Sequence, residues 1–185
     1  MKKILISLMA IALVIGLVGA GTMAYFSDTE TSSGNTFTAG TLNLHVDGAN
    51  DPLPAKFTLT DLAPGSSGAI TYALANVGSI NGYVDIEGVT VVNASGTTPE
   101  PESTPDLGEL GANLLVTVTL DTTTVYSSAA LNGFAGNWDV SESLTAGSTI
   151  NCVISWSIHD TVGNEIQGDI ATVGMTFELA QTTGQ

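Results

Sequence analysis

Apolar and polar residues alternate along most of this chain with a period of two. In such a run successive side chains point to opposite faces of an extended strand. Leu42, Leu44 and Val46 line one face of a first strand, and Phe57 and Leu59 one face of a second. Ile70, Tyr72 and Leu74 alternate with Ala69, Thr71, Ala73 and Ala75. Val84 and Ile86 open a strand expected to bulge at Gly88 before Val89 and Val91. Leu114, Val116, Val118 and Leu120 define another, with Thr117 and Thr119 outward. Ile150, Cys152, Ile154, Trp156 and Ile158 share one face of the next, and Val173, Met175, Phe177 and Leu179 form the last. At least seven strands result, punctuated by Gly, Pro, Asn and Asp. No long segment has a 3.6-residue period. Short helices are expected around Asp106–Leu114 and near Ser128–Phe134. The fold class expected is all-β: a two-sheet sandwich, jelly-roll type, with one or two short helices. An immunoglobulin-like arrangement fits the same pattern.

The N-terminus breaks this alternation. Lys2 and Lys3 precede an uncharged run from Ile4 to Gly21, and Thr22-Met23-Ala24 then places small residues at both ends of a triplet. A positive start, an apolar stretch and a small-x-small site are the features of a secretory signal peptide cut by signal peptidase. Cleavage is expected between Ala24 and Tyr25. An uncleaved anchor is the alternative, because about 18 apolar residues is the lower limit for a membrane span. The small-residue site and the abrupt switch to Ser, Thr, Asp and Gly favour cleavage. The expected organisation is residues 1–24 as signal peptide, 25–40 as an N-terminal arm and 41–185 as the sandwich. Residues 48–55 and 95–108 carry prolines and read as exposed connections.

Charge narrows the partners. The chain has 18 acidic residues against 3 Lys and no Arg, for a formal net charge of −15. Removing the signal takes away Lys2 and Lys3 and leaves Lys56. Phosphate backbones are bound by cationic side chains that displace counterions, so nucleic acid is excluded as a partner. Anionic lipid headgroups are excluded on the same ground, leaving the uncleaved signal as the route to a membrane. An acidic surface attracts divalent cations at extracellular concentrations.

Catalytic chemistry is hard to assemble from this inventory. The histidines are His45, on the first strand, and His159, at the end of the Cys152 strand. There is no HExxH and no GxSxG. His159 and Asp160 are neighbours, and neighbours on a strand face opposite ways. Cys152 is the one cysteine, so no intramolecular disulfide exists; its place in the Ile150–Ile158 pattern makes it a small core hydrophobe. His45, Asp47, Asn50 and Asp51 offer oxygen and nitrogen ligands for a cation such as calcium. They lack the EF-hand spacing and its closing Glu, and Asp-Gly and Asn-Asp-Pro read first as turns. No cofactor is expected beyond that calcium candidate. Asn93-Ala94-Ser95 is a glycosylation sequon, making Asn93 a candidate acceptor.

The signal junction carries the most specific pattern. Gly19-Ala20-Gly21-Thr22-Met23-Ala24-Tyr25-Phe26-Ser27-Asp28 is followed by Gly34-Asn35-Thr36-Phe37-Thr38-Ala39-Gly40-Thr41-Leu42-Asn43-Leu44. This resembles the N-terminus of the TasA/camelysin family, with Asn43 where that family usually has Asp. Leu62-Ala63-Pro64-Gly65 and Asn76-Val77-Gly78-Ser79 resemble its L-x-P-G and N-x-G-S pair. The resemblance covers residues 15–95. It implies an extracellular jelly-roll subunit that polymerises head to tail into fibres of a biofilm matrix or cell surface. In such fibres a freed N-terminal arm completes a sheet of the next subunit. Carried onto this chain, the donor strand runs from Tyr25 to about Phe37, with Tyr25 and Phe26 as anchors and Phe37 near the hinge.

The function expected is that of a secreted structural subunit, not an enzyme. A monomeric surface adhesin of the same fold is the alternative, followed by a camelysin-like metalloprotease.

Overall fold

The computed structural model describes residues 2–20, 38–51, 62–95 and 108–184. The chain divides into two units, residues 1–38 and 39–185.

In the first unit, helix α1 spans Lys2–Ala20. Its uncharged part, Ile4–Ala20, is about 25 Å long at 1.5 Å per residue, against a bilayer core of about 30 Å. Among the described residues no helix is long and apolar enough to cross a membrane. Ile4, Leu5, Ile6 and Leu8 are each about two-thirds exposed, so the helix has no apolar stripe and is apolar all round.

The second unit is a sandwich of two antiparallel sheets. Its strands are β1 (Leu44–Val46), β2 (Ser67–Asn76), β3 (Gly82–Ala94), β4 (Leu114–Leu120), β5 (Thr123–Ala130), β6 (Gly136–Leu144), β7 (Thr149–Ile158) and β8 (Ile170–Ala180). One sheet has the order β1-β2-β7-β4-β5 and the other β6-β3-β8. The chain changes sheet at β2–β3, β3–β4, β5–β6, β6–β7 and β7–β8, so most consecutive strands face each other across the core. The short helix α2 (Leu110–Asn113) precedes β4, and a 3₁₀ turn (Leu131–Phe134) separates β5 from β6.

Period-two patterning sets which face is buried. Leu114, Val116, Val118 and Leu120 of β4 are at most 2% exposed, and Cys152, Ile154 and Ile158 of β7 lie beside them. Val84, Ile86 and Val89 meet them from β3. The step from Ile86 to Val89 is three residues, which would turn one of them outward. Gly88 has φ +59°, and the register against β8 shifts between Glu87 and Thr90. The extra residue restores the inward phase, as the sequence predicts. At one end Tyr126, Phe134 and Trp138 pack together with ring centroids 5.4–5.6 Å apart. The Trp138 indole donates to the Phe134 carbonyl at 2.9 Å.

Several expectations need correction. The first strand begins at Leu44 rather than Leu42, because residues 41–43 bond to a turn instead of a strand ladder. β5 and β6 were not legible: TTVYSSAA and GNWDVSESL lack a regular apolar face, and both strands are irregular. The expected helix near Ser128–Phe134 is a 3₁₀ turn confined to Leu131–Phe134. Phe57 and Leu59 lie outside the described residues.

Acids gather on the outer face of the smaller sheet. Asp85 is fully buried, and its Oδ1 accepts from the Ser141 amide at 2.5 Å. Glu87 is half-buried nearby. Burial first, then the charge of Asp139 and its hydrogen-bonding proximity, then Glu178 and Asp85, hold the Glu87 carboxyl above its ordinary range. A carboxyl raised in the fold takes up its proton at a higher pH than in the unfolded chain. Between the two values the folded state binds more protons, so stability falls as pH rises through that window and returns on acidification. Glu87→Gln removes this titration. The variant is expected to be more stable than the parent at neutral pH, with the advantage shrinking in mild acid. Urea midpoints at the two pH values check this, and a pH-independent difference would refute it.

Candidate functional site

Two of the quoted sequence motifs meet in space where the chain enters the sandwich. Asn76, at the end of β2, is 0% exposed. Its side-chain amide donates to the Ile80 carbonyl at 2.8 Å and the Leu144 carbonyl at 3.2 Å. Its Oδ1 accepts from the Gly78 amide at 3.0 Å, the i-to-i+2 bond of an Asx turn. Its backbone N–H donates to the Ser148 carbonyl and its own carbonyl accepts from the Gly147 amide. One side chain and its peptide groups thus tie together the end of β2, the β2–β3 turn, the end of β6 and the β6–β7 turn.

Residues 40–43 lie along this turn. The Val77 amide donates to the Asn43 carbonyl at 2.8 Å, and the Ser79 amide to the Thr41 carbonyl at 2.8 Å. In return the Thr41 amide donates to Ser79 Oγ at 2.9 Å. The backbones are so close that a Cβ on Gly78 would stand 2.2 Å from the Thr41 carbonyl oxygen, and the Ile80 side chain reaches so far that a Cβ on Gly40 would stand 2.2 Å from its Cγ2. At Gly78 backbone contact requires glycine, and at Gly40 the Ile80 side chain fills the space a Cβ would take. The Gly40-Thr41-Leu42-Asn43 and Asn76-Val77-Gly78-Ser79 stretches therefore form one lock at the start of the sandwich.

The other motif, Leu62-Ala63-Pro64-Gly65, leads into β2. Pro64 and Gly65 occupy the centre of a turn closed by the Ser66 amide on the Ala63 carbonyl at 2.9 Å. Gly65 has φ +81°, the conformation a type II turn requires there. Gly65 and Ser66 then bond to Ile158, fastening the turn to the end of β7.

The remaining candidates are dispersed. Ala24, Tyr25, Phe26 and Phe37 lie outside the described residues, as does Lys56. Asp47 and Gly48 have φ +52° and +82°, and Val46 and Ala49 exchange backbone bonds across them. This is the hairpin turn that Asp-Gly favours. Asp47 Oδ1 accepts from the Ala73 amide at 3.0 Å, so the carboxylate already braces β2. His45 pairs with Ala75 on β2, and Asp51 is exposed. Asn93 donates its side-chain nitrogen, the atom a glycan would take, to Asn132 Oδ1 at 2.8 Å. Its Oδ1 packs where a Cβ on Gly111 would stand.

His159 and Asp160 do meet, contrary to the strand argument. β7 ends at Ile158, and the turn beyond it brings His159 Nδ1 within 2.9 Å of Asp160 Oδ1 and 2.8 Å of Thr161 Oγ1. Both side chains of the pair are mostly exposed. Ala75 pairs with Thr149 at the start of β7, so His45 stands level with one end of β7 while His159 follows the other. About 30 Å of strand separates the two, too far to share a metal ion. Among the described residues no three His, Cys, Asp or Glu side chains stand together as a metal site.

Cys152 is 0% exposed, and burial pushes its thiol up to about 12. Since the thiolate is the reactive form, this cysteine is inert. Signals for the lock were present in the sequence as the Asx-turn triplet and the paired glycines. Nothing in the sequence showed that the two stretches touch.

Residues 1–185 match the family model described as camelysin metallo-endopeptidase. The chain belongs to the camelysin/TasA family. Among curated proteins no sequence matches it. Membership supports a secreted, TasA-like protein, in a family of secreted and cell-surface proteins. The zinc site its descriptive name implies does not fit the described histidines of this member, one on β1 and the other just after β7, level with opposite ends of β7.

Two outcomes are expected. Asn76→Ala leaves the Gly78 amide and two carbonyls without their partner and should lower stability by about 3 kcal/mol. Chemical denaturation measures the loss, and amide exchange at Thr41 should accelerate with it. Cys152 should resist a colourimetric thiol reagent in the native protein and react fully in denaturant. Fast native labelling would contradict its burial.

Proposed function

We propose that this camelysin/TasA family member is a secreted structural subunit that polymerises head to tail into filaments of a biofilm matrix or cell surface. Residues 1–24 direct export and are removed after Ala24. The arm from Tyr25 to Phe37 then pairs with a sheet of the next subunit. Strand addition uses backbone N–H and C=O groups, so it suits a chain whose copies all carry strong negative charge. A heterologous contact of this kind does not close on itself, so it builds a filament. Acidic outer surfaces are bridged by divalent cations between filaments.

The observation that carries this reading is the lock at residues 40–43. It begins three residues after Phe37, and its bonds fasten residues 41–43 to the β2–β3 turn, which Asn76 ties to the end of β6 and the turn before β7. A partner that grips the arm thereby grips a whole folded domain. Family membership supports the same reading.

Negative-stain microscopy of the purified mature protein tests it. Filaments are expected from the chain beginning at Tyr25, and deletion of residues 25–37 should abolish them while leaving β-sheet circular dichroism unchanged. Monodisperse monomers at high concentration, with a free native N-terminus, would favour a surface adhesin instead. The family's descriptive name favours a second reading, a metal-dependent endopeptidase. A casein assay with and without chelator separates it: chelator-sensitive cleavage would support the protease.

A further inference from the structure

Charge is divided unevenly between the two sheets. The three strands of the smaller sheet carry five acids, Asp85, Glu87, Asp139, Glu142 and Glu178. Among the described residues, the five strands of the larger sheet carry no Asp, Glu, Lys or Arg. Acids stand beyond its strand ends instead. Asp47 and Asp121 lie at one end, where they bond to Ala73 and Asn151, a pair across β2 and β7. Asp160 lies at the other end, after β7.

The outward face of this sheet is built of small side chains. β7 is its middle strand, with β2 on one side and β4 on the other. The inward residues Cys152, Ile154 and Ile158 are buried, so Val153 and Ser155 point outward. Ser155 pairs with Ala69 and Thr117, and Val153 with Thr119. The Tyr and Trp rings of the sheet, Tyr72, Tyr126 and Trp156, all pack against the core. Such rings are what a sugar would stack on, so a carbohydrate does not suit the outward face.

A broad uncharged face of small side chains suits another face like it. Stacked sheets lie about 10 Å apart, and small residues let them close without voids. The dimensions are sufficient. Five strands at about 4.8 Å make the face about 24 Å wide, and the nine paired positions of β2 and β7 make it about 30 Å long. The area of about 700 Å² per copy is close to the contribution of each partner in a stable complex, about 800 Å².

Electrostatics selects the same partner. Two copies of so acidic a chain repel wherever their acids face each other, and this sheet is where they do not. Its edges pair poorly, because β1 is three residues long and β5 breaks at Ser128, where φ is +39°. In the other sheet β6 breaks in the same way at Ser141, where φ is +52°.

We infer that the outer face of the larger sheet is a side-by-side contact with the same face of a second copy of this chain. This contact is additional to the head-to-tail joint proposed above and does not depend on it. The two faces meet about a two-fold axis, so a residue near the middle of β7 faces its own counterpart. The centre of the contact is uncharged and the acids stand at its rim, the usual division in protein interfaces.

Cross-linking and charge insertion in the mature protein test the contact. Ser155→Cys places a thiol near the centre of the face, and Thr172→Cys places one on the outer face of β8 as a control; both positions are exposed. The native Cys152 is buried and silent. A short bis-maleimide should join Ser155→Cys to itself, as a dimer band on a denaturing gel, about tenfold more than Thr172→Cys. Sodium chloride should raise that yield, because it screens the rim acids. Ser155→Glu, with circular dichroism unchanged, should reduce side-by-side filament pairs in negative stain about tenfold, whereas Thr172→Glu should leave them as in the parent. Equal dimer yields from the two cysteine variants overturn the proposal. So does a Ser155→Cys thiol that a monofunctional maleimide cannot reach in the folded monomer, since the chain then covers its own face. Pairing that persists in Ser155→Glu but dissolves with chelator assigns the contact to cation bridges between acids and rejects the face. Filaments that stay single, without a Ser155→Cys dimer, keep polymerisation and reject the side contact. Ser155→Cys dimers without filaments keep the side contact and reject polymerisation.

Discussion

Asn76 holds the sandwich to its own entrance. An amide side chain has two donors and an acceptor with two lone pairs, and in a fully buried place each must be matched or it destabilises the fold. Here the side chain bonds to two parts of the chain, the turn into β3 and the end of β6, and the peptide groups of the same residue go to a third, the turn before β7. The end of β2, the turn into β3, the close of β6 and the start of β7 are all positioned by it. Gly78 and Gly40 then admit residues 40–43 at backbone contact distance. Enlarging either glycine or removing the amide would disturb the same corner.

Carboxylates pose the opposite problem. A chain with 18 acids and 3 lysines cannot neutralise its acids with salt bridges. Backbone amides take that place. Asp47 accepts from Ala73, Asp85 from Ser141, and Asp169 from both Glu109 and Leu110 at the start of α2. Each bond pins a loop or bulge to a neighbouring strand, so the acids act as structural staples. Hydrogen bonds to a charged acceptor are stronger than neutral ones, which suits a fold so poor in cations. Glu87 is the exception, because its close neighbours are other carboxylates.

The core was legible wherever one residue in two was large and apolar. β4, β7 and β8 were read from their alternation, and the Gly88 bulge from a break of phase between Ile86 and Val89. Cys152 followed from its neighbours, and its buried position agrees. β5 and β6 were missed for the reason that makes them poor edges. Positive φ at Ser128 and Ser141 breaks their alternation, and their inward residues are too few to show a period. The lock was half legible. Asn76-Val77-Gly78 signals a turn, and Gly40 and Gly78 signal close approach. Contacts between residues 34 to 39 positions apart depend on the path of the chain through two sheets, which local pattern does not encode. His159 and Asp160 meet because β7 ends at Ile158, so the strand rule of opposite faces no longer applies to them.

The lock also determines how a filament would carry tension. A pull on the arm reaches the domain at Ala39, and the first bonds it loads are those of Thr41 and Asn43 to Val77, Ser79 and Ile80. These lie side by side along one short stretch. Force directed along that stretch shears them together, whereas force across it would open them one at a time. Behind them stands Asn76, whose amide passes the load to β6 and whose backbone passes it to the turn before β7. Strain entering at one thread of chain is thereby divided between both sheets, and the two glycines that let the backbones touch set how tightly that joint can be made.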